Sequence, residues 1–209
     1  MDPWQEEEPP TRKDIDEENR MLARRQQNFR LAADYIARAF AQHPSVQRIA
    51  IIGSVALPLK KEVPRFRRYR RRGIELLHEC SDVDLAVWVD DLDCLNDLRK
   101  ARSRALNQLN ADANIGVAHH QAEVFILEPH THRYRGRLCT FGSCPKQGKL
   151  ECEVAGCGVK PFLQQIENFR FDRFSLIPDC SIALFDREGR ENANQDAESG
   201  KEPDDQGPF

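Results

Sequence analysis

The sequence predicts an α/β or α+β domain, built as a small mixed β-sheet with helices packed on it. Three observations lead to this fold class. Apolar residues recur with helical spacing between Glu18 and Gln42. Short β-branched runs, RIAIIG and DVDLAVWV, are typical of buried strands. Helical and strand patterns then alternate along the rest of the chain.

The first half of the chain predicts a helix followed by two central strands. The helix spans residues 18–42 and ends at His43-Pro44-Ser45, because proline cannot continue it. RIAIIG, residues 48–53, is almost wholly apolar, as expected for a strand covered on both faces. DVDLAVWV, residues 82–89, is the second such strand.

The second half predicts two more helices and two more strands. Leucines and alanines between residues 92 and 109 have helical spacing, and AEVFILE, residues 122–128, has the composition of a strand. KPFLQQIENFRF, residues 160–171, carries apolar residues at spacing that indicates a further helix. CSIALFDREG, residues 180–189, is expected to contain the last short strand.

The 209 residues suit one domain with flexible ends. Residues 1–18 hold eight acidic and two basic residues, and residues 187–209 are also rich in acids, so both tails are expected to be disordered around a domain at 19–186. No run of 18 apolar residues exists, which argues against a membrane span. No secretory signal is seen at the N-terminus, so a cytoplasmic location is expected.

Asp82 and Asp84 are the first candidate site residues. Their spacing of two puts both carboxylates on the same face of a strand. Two adjacent carboxylates repel each other, and a divalent cation such as Mg²⁺ or Mn²⁺ would relieve the repulsion. Glu123 is a single acid within another apolar strand, which is either an exposed edge position or a third ligand. Ordinary surface charge is the alternative for the aspartate pair.

Gly53 and Ser54 directly follow the first predicted strand. Backbone N–H groups and a hydroxyl at such a turn can hold phosphate oxygens. The order of a strand, Gly-Ser, Asp-x-Asp on a strand and an acid on a later strand resembles the nucleotidyltransferase superfamily, which includes DNA polymerase beta, the kanamycin nucleotidyltransferases and the minimal bacterial nucleotidyltransferases. The resemblance covers roughly residues 45–128 and 160–188.

The resemblance implies a nucleotidyltransferase fold and a Mg²⁺-dependent transfer of a nucleoside monophosphate from a nucleoside triphosphate to a hydroxyl acceptor. It implies that Asp82, Asp84 and Glu123 hold two metal ions and that Gly53 and Ser54 contact the triphosphate. Glu123 is also a candidate base toward the acceptor hydroxyl. The acceptor, whether protein, RNA or small molecule, and the choice among ATP and the other triphosphates stay open. A homodimer or a partner protein would complete the substrate cleft.

The chain departs from the family between Ser54 and Asp82, where 27 residues replace a short connection. Residues 60–72, KKEVPRFRRYRRR, contain eight basic residues with Phe66 and Tyr69 among them. This segment is either a positive, aromatic wall beside the triphosphate site or a solvated charged arm. Pro58 is expected to shorten or kink a helix after Ser54.

Four of the seven cysteines lie in a Cys-rich insertion at residues 130–158. Their spacing favours a structural Zn²⁺ site, with free thiols as the alternative and His130 or His132 as replacement ligands. The other three are expected to be small buried hydrophobic residues. The proposed zinc ligands are Cys139, Cys144, Cys152 and Cys157.

Two other functions fit the same residues. One is a non-catalytic, antitoxin-like subunit that keeps the nucleotidyltransferase fold but binds a partner protein. The other is a zinc-containing RNA-binding protein whose function lies in residues 60–72 and in the cysteine cluster. The second alternative leaves Asp82, Asp84 and Glu123 unexplained.

Overall fold

The computed structural model describes residues 8–141, 144, 160–166 and 168–189. Three α-helices and eight strands form within these residues, joined by loops and short 3-10 turns. In chain order they are α1 Arg12–Phe40, β1 Val46–Ile52, β2 Lys61–Glu62, α2 Arg67–Arg70, β3 Leu76–Leu77, β4 Val83–Val89, α3 Leu95–Ala113, β5 Ala122–Leu127, β6 Tyr134–Leu138, β7 Leu163–Gln164 and β8 Ile182–Asp186.

Six strands form one mixed sheet in the order β7-β6-β5-β4-β1-β8. β4 and β5 are parallel, and every other neighbouring pair is antiparallel. β2 and β3 form a separate two-stranded hairpin. The predicted mixed sheet with helices packed on it is therefore confirmed as an α+β arrangement.

One face of the sheet is covered by α1 and α3. Alternate residues of the central strands, such as Leu85 and Val124, point to this side and are fully buried. They pack with the apolar stripe of each helix, including Ile36 and Leu98, in the main hydrophobic core. This core includes most of the apolar positions that the helical periodicity predicted.

The opposite face is covered by residues 168–177, here called the covering segment. Phe171 and Leu176 of this segment pack on a smaller core of six strand residues. Phe171 stacks on Tyr134 of β6, with ring centroids 5.8 Å apart. The six strand residues are Ala50, Ile52, Ala86, Trp88, Phe125 and Leu127.

Helix α1 begins earlier than the sequence predicted. Residues 12–18, expected to belong to a disordered tail, are helical, because Thr11 and Asp14 form a capping box. The Asp14 backbone N–H donates to Thr11 Oγ1 at 3.2 Å, and the Thr11 N–H donates to Asp14 Oδ2 at 2.8 Å. Ile15 on this first turn packs against a small apolar cluster, which also favours the ordered helix.

The start of the predicted C-terminal tail is also fixed to the domain. Arg187, placed in a disordered tail at 187–209, donates hydrogen bonds to the carbonyl oxygens of Val46, His43 and Ala41 at 3.0, 3.0 and 3.3 Å. Ala41 and His43 lie in the connection between α1 and β1, and Val46 is the first residue of β1, so Arg187 joins the end of β8 to this part of the domain. The remainder of the tail, from residue 190, lies outside the described residues.

The prediction of a helix over residues 160–171 is wrong. Leu163 and Gln164 form β7, which pairs with Leu138 and Arg137 of β6. Gly136 of β6 allows this pairing, since its φ is +149° and a Cβ there would lie 2.8 Å from Leu163 Cδ1. Phe162 has a left-handed φ of 62°, which is incompatible with a continuous helix.

β6 is a strand that the sequence analysis did not predict. Its five residues, YRGRL, fall within residues 130–158, assigned to a separate Cys-rich insertion. Instead, β6 belongs to the main sheet and pairs with β5. Among the described residues, none of the helices is long and apolar enough to cross a membrane.

Candidate active site

Gly53, Asp84 and Glu123 lie side by side where the end of strand β1 meets the starts of strands β4 and β5. β1 runs antiparallel to β4, so the end of β1 lies beside the start of β4, and Ile52 pairs with Asp84. β5 runs parallel to β4, and Asp84 pairs with Glu123. The residues proposed from sequence therefore meet in space, on the face opposite α1 and α3.

Gly53 is in direct proximity to Asp84. Its φ is +73°, a conformation that side-chain-bearing residues rarely adopt, and a Cβ at this position would lie 2.7 Å from Asp84 Oδ2. Any larger residue would displace the carboxylate. The glycine thus lets the turn after β1 approach the acid closely.

Asp84 is an acid in an unfavourable place for a charge. Burial raises the pKa of Asp84, and the nearby carboxylates of Asp82 and Glu123 raise it further, to about 7, while Arg137 lowers it. At neutral pH this carboxyl is therefore close to half protonated. A cation bound beside it would favour the ionised form.

Asp82 precedes β4 by one residue and is only partly buried. The Ser81 hydroxyl donates to Asp82 Oδ1 at 2.9 Å. The carbonyl of Ser81 accepts a hydrogen bond from the Gln121 amide at 3.3 Å, which connects this loop to the start of β5. Asp82 is therefore attached to the same edge as Glu123 but faces solvent more than Asp84 does.

Glu123 is not the unpaired acid that the sequence suggested. It forms an ion pair with Arg137 of β6, whose second guanidinium nitrogen, Nη2, donates to Gln164 Oε1 at 3.1 Å. This pair explains how an acid persists in an apolar strand without a metal. Arg137 was missed because β6 itself was not predicted, and only the alternation of polar and apolar residues in YRGRL gave a signal.

Tyr134 lies on the same strand as Arg137 and is a further polar side chain close to Glu123. Its hydroxyl and Arg137 Nε are both buried without a hydrogen-bond partner among the described residues. Burial raises the pKa of the Tyr134 phenol to about 12, so the hydroxyl stays protonated at neutral pH. Two buried donors thus lie close to Glu123.

The Gly-Ser turn is held by two side chains of α1 that the sequence analysis also missed. The Gln26 amide donates to the carbonyls of Ser54 and Leu57 at 3.3 and 2.7 Å. Arg30 Nε donates to the Val55 carbonyl at 2.9 Å. A signal was present, since Gln26 is a polar residue within the buried stripe of an amphipathic helix. The turn itself is a single 3-10 turn, Gly53–Val55, rather than the helix expected there.

The cysteine cluster is only partly described. Cys139 follows β6, and its backbone N–H donates to the Phe162 carbonyl at 2.8 Å, while Cys144 is buried. Cys152 and Cys157 lie outside the described residues. Within the described part of the chain, no group of three or more His, Cys, Asp or Glu side chains is arranged to hold a metal ion.

His130 and His132 do not lie near Cys139. Trp88 Nε1 donates to His132 Nδ1 at 2.8 Å, which places His132 at the end of β5. Arg102 donates to the carbonyls of both Ala122 and Cys139, which places Cys139 at the start of β5. The two histidines are therefore at the opposite end of that strand from Cys139, and their replacement of another cysteine as zinc ligand stays a prediction, because Cys152 and Cys157 lie outside the described residues.

Two of the remaining three cysteines, Cys80 and Cys94, are buried as expected for small apolar residues. Cys180 is half-buried. Burial is the main cause that raises the pKa of both buried thiols, so each remains a neutral thiol near pH 7. Cys80 also contacts the Ser54 side chain beside the candidate site.

Comparisons with known proteins identify no relative of this chain. No protein-family model matches the chain, and neither the curated proteins nor the solved structures give a match. Function must therefore be argued from the residues and their geometry.

Proposed function

We propose that the protein is a Mg²⁺-dependent nucleotidyltransferase that transfers a nucleoside monophosphate to a hydroxyl acceptor. One observation carries the proposal: a glycine turn and three acids from β1, β4 and β5 meet at one sheet edge. A protein that needed only a stable sheet would have no reason to place Asp84 where burial raises its pKa to about 7.

The donor set suits a hard divalent cation. Asp82 and Asp84 present carboxylate oxygens, the ligands that Mg²⁺ and Mn²⁺ prefer. A cation there would offset the repulsion that now raises the pKa of Asp84. Glu123 fits less directly, because Arg137 already neutralises it. Asp82 and Asp84 would therefore hold the metal, and Glu123 would join only after a rearrangement of its pair with Arg137.

Other residues of the chain would position the triphosphate and add positive charge beside it. In the turn Gly53–Val55, Gln26 donates to the Ser54 carbonyl and Arg30 to the Val55 carbonyl, so the N–H groups and the Ser54 hydroxyl would be directed at a triphosphate. Bound Mg²⁺ supplies charge neutralisation of the phosphates and lowers the pKa of the attacking hydroxyl. Arg137 lies close enough to Asp84 to affect its pKa and adds a positive charge beside the site.

A labelling experiment tests the proposal. Each of the four nucleoside triphosphates, labelled at the α-phosphate, is incubated with the protein, Mg²⁺ and cell extract. We expect a labelled adduct from the wild type and none from Asp84→Asn. Asp90→Asn is the matched control, because Asp90 is an exposed acid just beyond the opposite end of β4. Equal labelling by Asp84→Asn and wild type would reject the assignment.

A second candidate is a non-catalytic subunit that keeps the acids but binds a partner protein. The ion pair between Glu123 and Arg137 favours it, because it neutralises one acid without metal. Calorimetric titration with Mg²⁺ and a non-hydrolysable triphosphate separates the two candidates. Magnesium-dependent binding that Asp84→Asn abolishes supports the enzyme, whereas absence of binding to the wild type supports the partner-binding subunit.

Structural zinc remains a separate proposal for the cysteine cluster. Cys139 is fixed beside Phe162, at the edge where β6 and β7 meet. Elemental analysis of protein prepared under reducing conditions without chelator should give about one zinc per chain. Loss of that zinc in Cys139→Ser and Cys144→Ser, with retention in Cys180→Ser, is the expected pattern. Protein without zinc would leave these residues as free thiols.

A further inference from the structure

The 27 residues between Ser54 and Asp82 form an ordered unit beside the candidate site. Its hairpin, β2 and β3, and its helix α2 pack on the first half of α1 through Leu22, Tyr69 and Leu76. The Leu77 backbone N–H donates to Asn19 Oδ1 at 2.7 Å, and Arg68 pairs with Asp14 at 3.2 Å. The unit, here called the insert, is therefore fixed to the domain rather than a free charged arm.

A cavity of about 480 Å³ lies between the two arms of the insert and is here called the insert groove. Its lining runs from Val63 and Phe66 on one side to Glu79 and Ser81 on the other. Ser81 donates to Asp82, so the groove reaches the candidate metal ligands. Its volume lies in the range of pockets that hold organic groups, about 300–1,000 Å³.

A second cavity, of about 210 Å³, connects the insert groove with the Gly-Ser turn. Ser54 lines it, and Glu62 and His78 line both cavities. Glu62 Oε1 and His78 Nδ1 are 2.8 Å apart, so their pair stands between the two spaces. The smaller cavity thus lies against the Gly-Ser turn, and the insert groove lies on the other side of the Glu62–His78 pair.

The insert as a whole carries a net positive charge, although the lining of the groove itself holds one arginine, Arg65, together with Glu62 and Glu79. Of the two acids in the lining, Glu62 pairs with His78, and Glu79 pairs with Arg25 at 2.6 Å. Six exposed cations of the insert have no ion-pair partner among the described residues. They are Lys60, Lys61, Arg65, Arg67, Arg70 and Arg71.

The two aromatic residues of the insert have different roles. Tyr69 is 7% exposed and packs on α1, so it is structural. Phe66 is 39% exposed and lines the groove, which leaves its ring accessible to a flat partner. An accessible ring among cations is the arrangement that binds single-stranded nucleic acid, because unpaired bases stack on aromatic faces while phosphates contact the cations.

We propose that the insert groove binds the 3′ end of a single-stranded polynucleotide and presents its terminal hydroxyl to Asp82 and Asp84. This rests on the proposed nucleotidyl transfer and names its acceptor. Six cations spread over a hairpin and a helix exceed what one compact triphosphate can contact, so a polymer of phosphates fits better than the nucleotide alone.

The reaction that follows is balanced. The 3′ oxygen of the acceptor forms a bond to the α-phosphorus of the triphosphate. The bond between that phosphorus and the oxygen bridging to the β-phosphate breaks, and pyrophosphate leaves. The proton of the 3′ hydroxyl passes to a carboxylate of the site and then to water. The polynucleotide gains one nucleotide, and nothing is oxidised or reduced.

Binding is tested first, without triphosphate, by fluorescence anisotropy over a series of salt concentrations. The ligands are single-stranded RNA, single-stranded DNA, a duplex of the same sequence and an acidic peptide. We expect both single strands to bind more tightly than the duplex or the peptide, and the two single strands are compared to show which sugar is preferred. Tightest binding of the peptide would overturn the proposal in favour of a protein acceptor, and equal binding of the duplex would reject the stacking role.

Charge and stacking are separated by variants. The triple variant Arg67→Gln, Arg70→Gln, Arg71→Gln should lose about tenfold or more in affinity, and its slope of log affinity against log salt should become shallower by about 2. Phe66→Ala should lose about tenfold with an unchanged slope. The control replaces three exposed cations of α1 and α3 by glutamine, Arg38, Lys100 and Arg104. Equal affinity of the triple variant and this control would overturn the proposal.

Transfer is then measured on oligonucleotides with a 3′ hydroxyl or a blocked 3′ end. Extension of the open end alone supports the proposal, and label on another acceptor, with oligonucleotide bound but unextended, rejects it. The Asp84→Asn variant should still bind the oligonucleotide. A protein that binds single strands but labels nothing contradicts the nucleotidyltransferase assignment, whereas one that labels another acceptor and binds no strand contradicts only this inference.

Discussion

The two faces of the central sheet differ in what covers them and in what they contain. Leu85 and Val87 of β4 point to the side of α1 and α3, where the packed residues form one large apolar core. Asp84 and Trp88 of the same strand point to the other side, where Phe171 and Leu176 of the covering segment and Tyr134 of β6 pack on the smaller core. The period-two alternation of one strand thus places apolar side chains in the main core on one face and Asp84 and Trp88 on the other.

Asp84 and Glu123 therefore lie on the face of the sheet that is less covered by packed side chains. Among the described residues, the buried positions on the helix side include no acidic residue. On the other side, Asp84 and Glu123 lie at the edge beyond the small aromatic core. An acid in the larger core would face desolvation without a route for a cation, whereas an acid at this edge can be reached from solvent.

The largest effect on folding is expected on the helix side. Leu85→Ala removes a fully buried side chain and should lower the free energy of unfolding by about 2–5 kcal/mol, because it leaves a cavity in the main core. Denaturant titration measures this change. A loss below about 1 kcal/mol would show that the helix side is not the main source of stability.

Asp84→Asn, at the neighbouring position, should instead raise the free energy of unfolding. Burial and the neighbouring acids raise the pKa of Asp84 from 3.8 to about 7 in the folded protein. Between these pKa values the folded state holds a proton that the unfolded state releases, so the wild type loses stability as pH rises through this window. The variant should therefore be more stable than the wild type by about 2–4 kcal/mol near pH 8.

The stability gained by Asp84→Asn should disappear as the pH approaches the pKa that Asp84 has in the unfolded state. Both states of the wild type are protonated at low pH, so the titration of Asp84 contributes nothing there. Thermal unfolding of both proteins at a series of pH values measures the difference. A gain that is the same at about pH 4 and about pH 8 would show that folding does not raise the pKa of Asp84.

A smaller effect on stability is expected for Gln26, which connects helix α1 with the Gly-Ser turn. Gln26 projects from α1 to the carbonyls of Ser54 and Leu57, so Gln26→Ala removes the side-chain donor to the first carbonyl and one of two donors to the second. It should cost about 1–2 kcal/mol of stability and weaken triphosphate binding. Gln27→Ala, at the exposed neighbouring position, is the control. Equal triphosphate affinity in both variants would show that the turn does not need α1.

Much of this arrangement could be predicted from local sequence patterns. The apolar stripe of α1, the runs of β1, β4 and β5, and the meeting of Gly53 with the acids all follow from periodicity and from strand ends. These signals are strong because buried strands and amphipathic helices repeat the same residue types within a short window.

The rest depends on partners distant in sequence. Arg137 neutralises Glu123 from 14 residues away, in a strand whose polar residues give no apolar run. Leu163 and Gln164 have helical spacing with their neighbours, but pairing with β6 prevails over it because the sheet edge offers hydrogen bonds. The polarity of Gln26 within an apolar stripe indicates a buried hydrogen-bond partner, but no local pattern identifies that partner as a turn 28 residues away.

The most direct measurement follows the α- and γ-phosphates of one triphosphate through the reaction. With Mg²⁺ and acceptor, the account predicts that α-label appears on the acceptor while γ-label appears in pyrophosphate, that Asp82→Ala abolishes both, and that Asp90→Asn changes neither. Transfer of the γ-label to the acceptor, or unchanged transfer in Asp82→Ala, would contradict it.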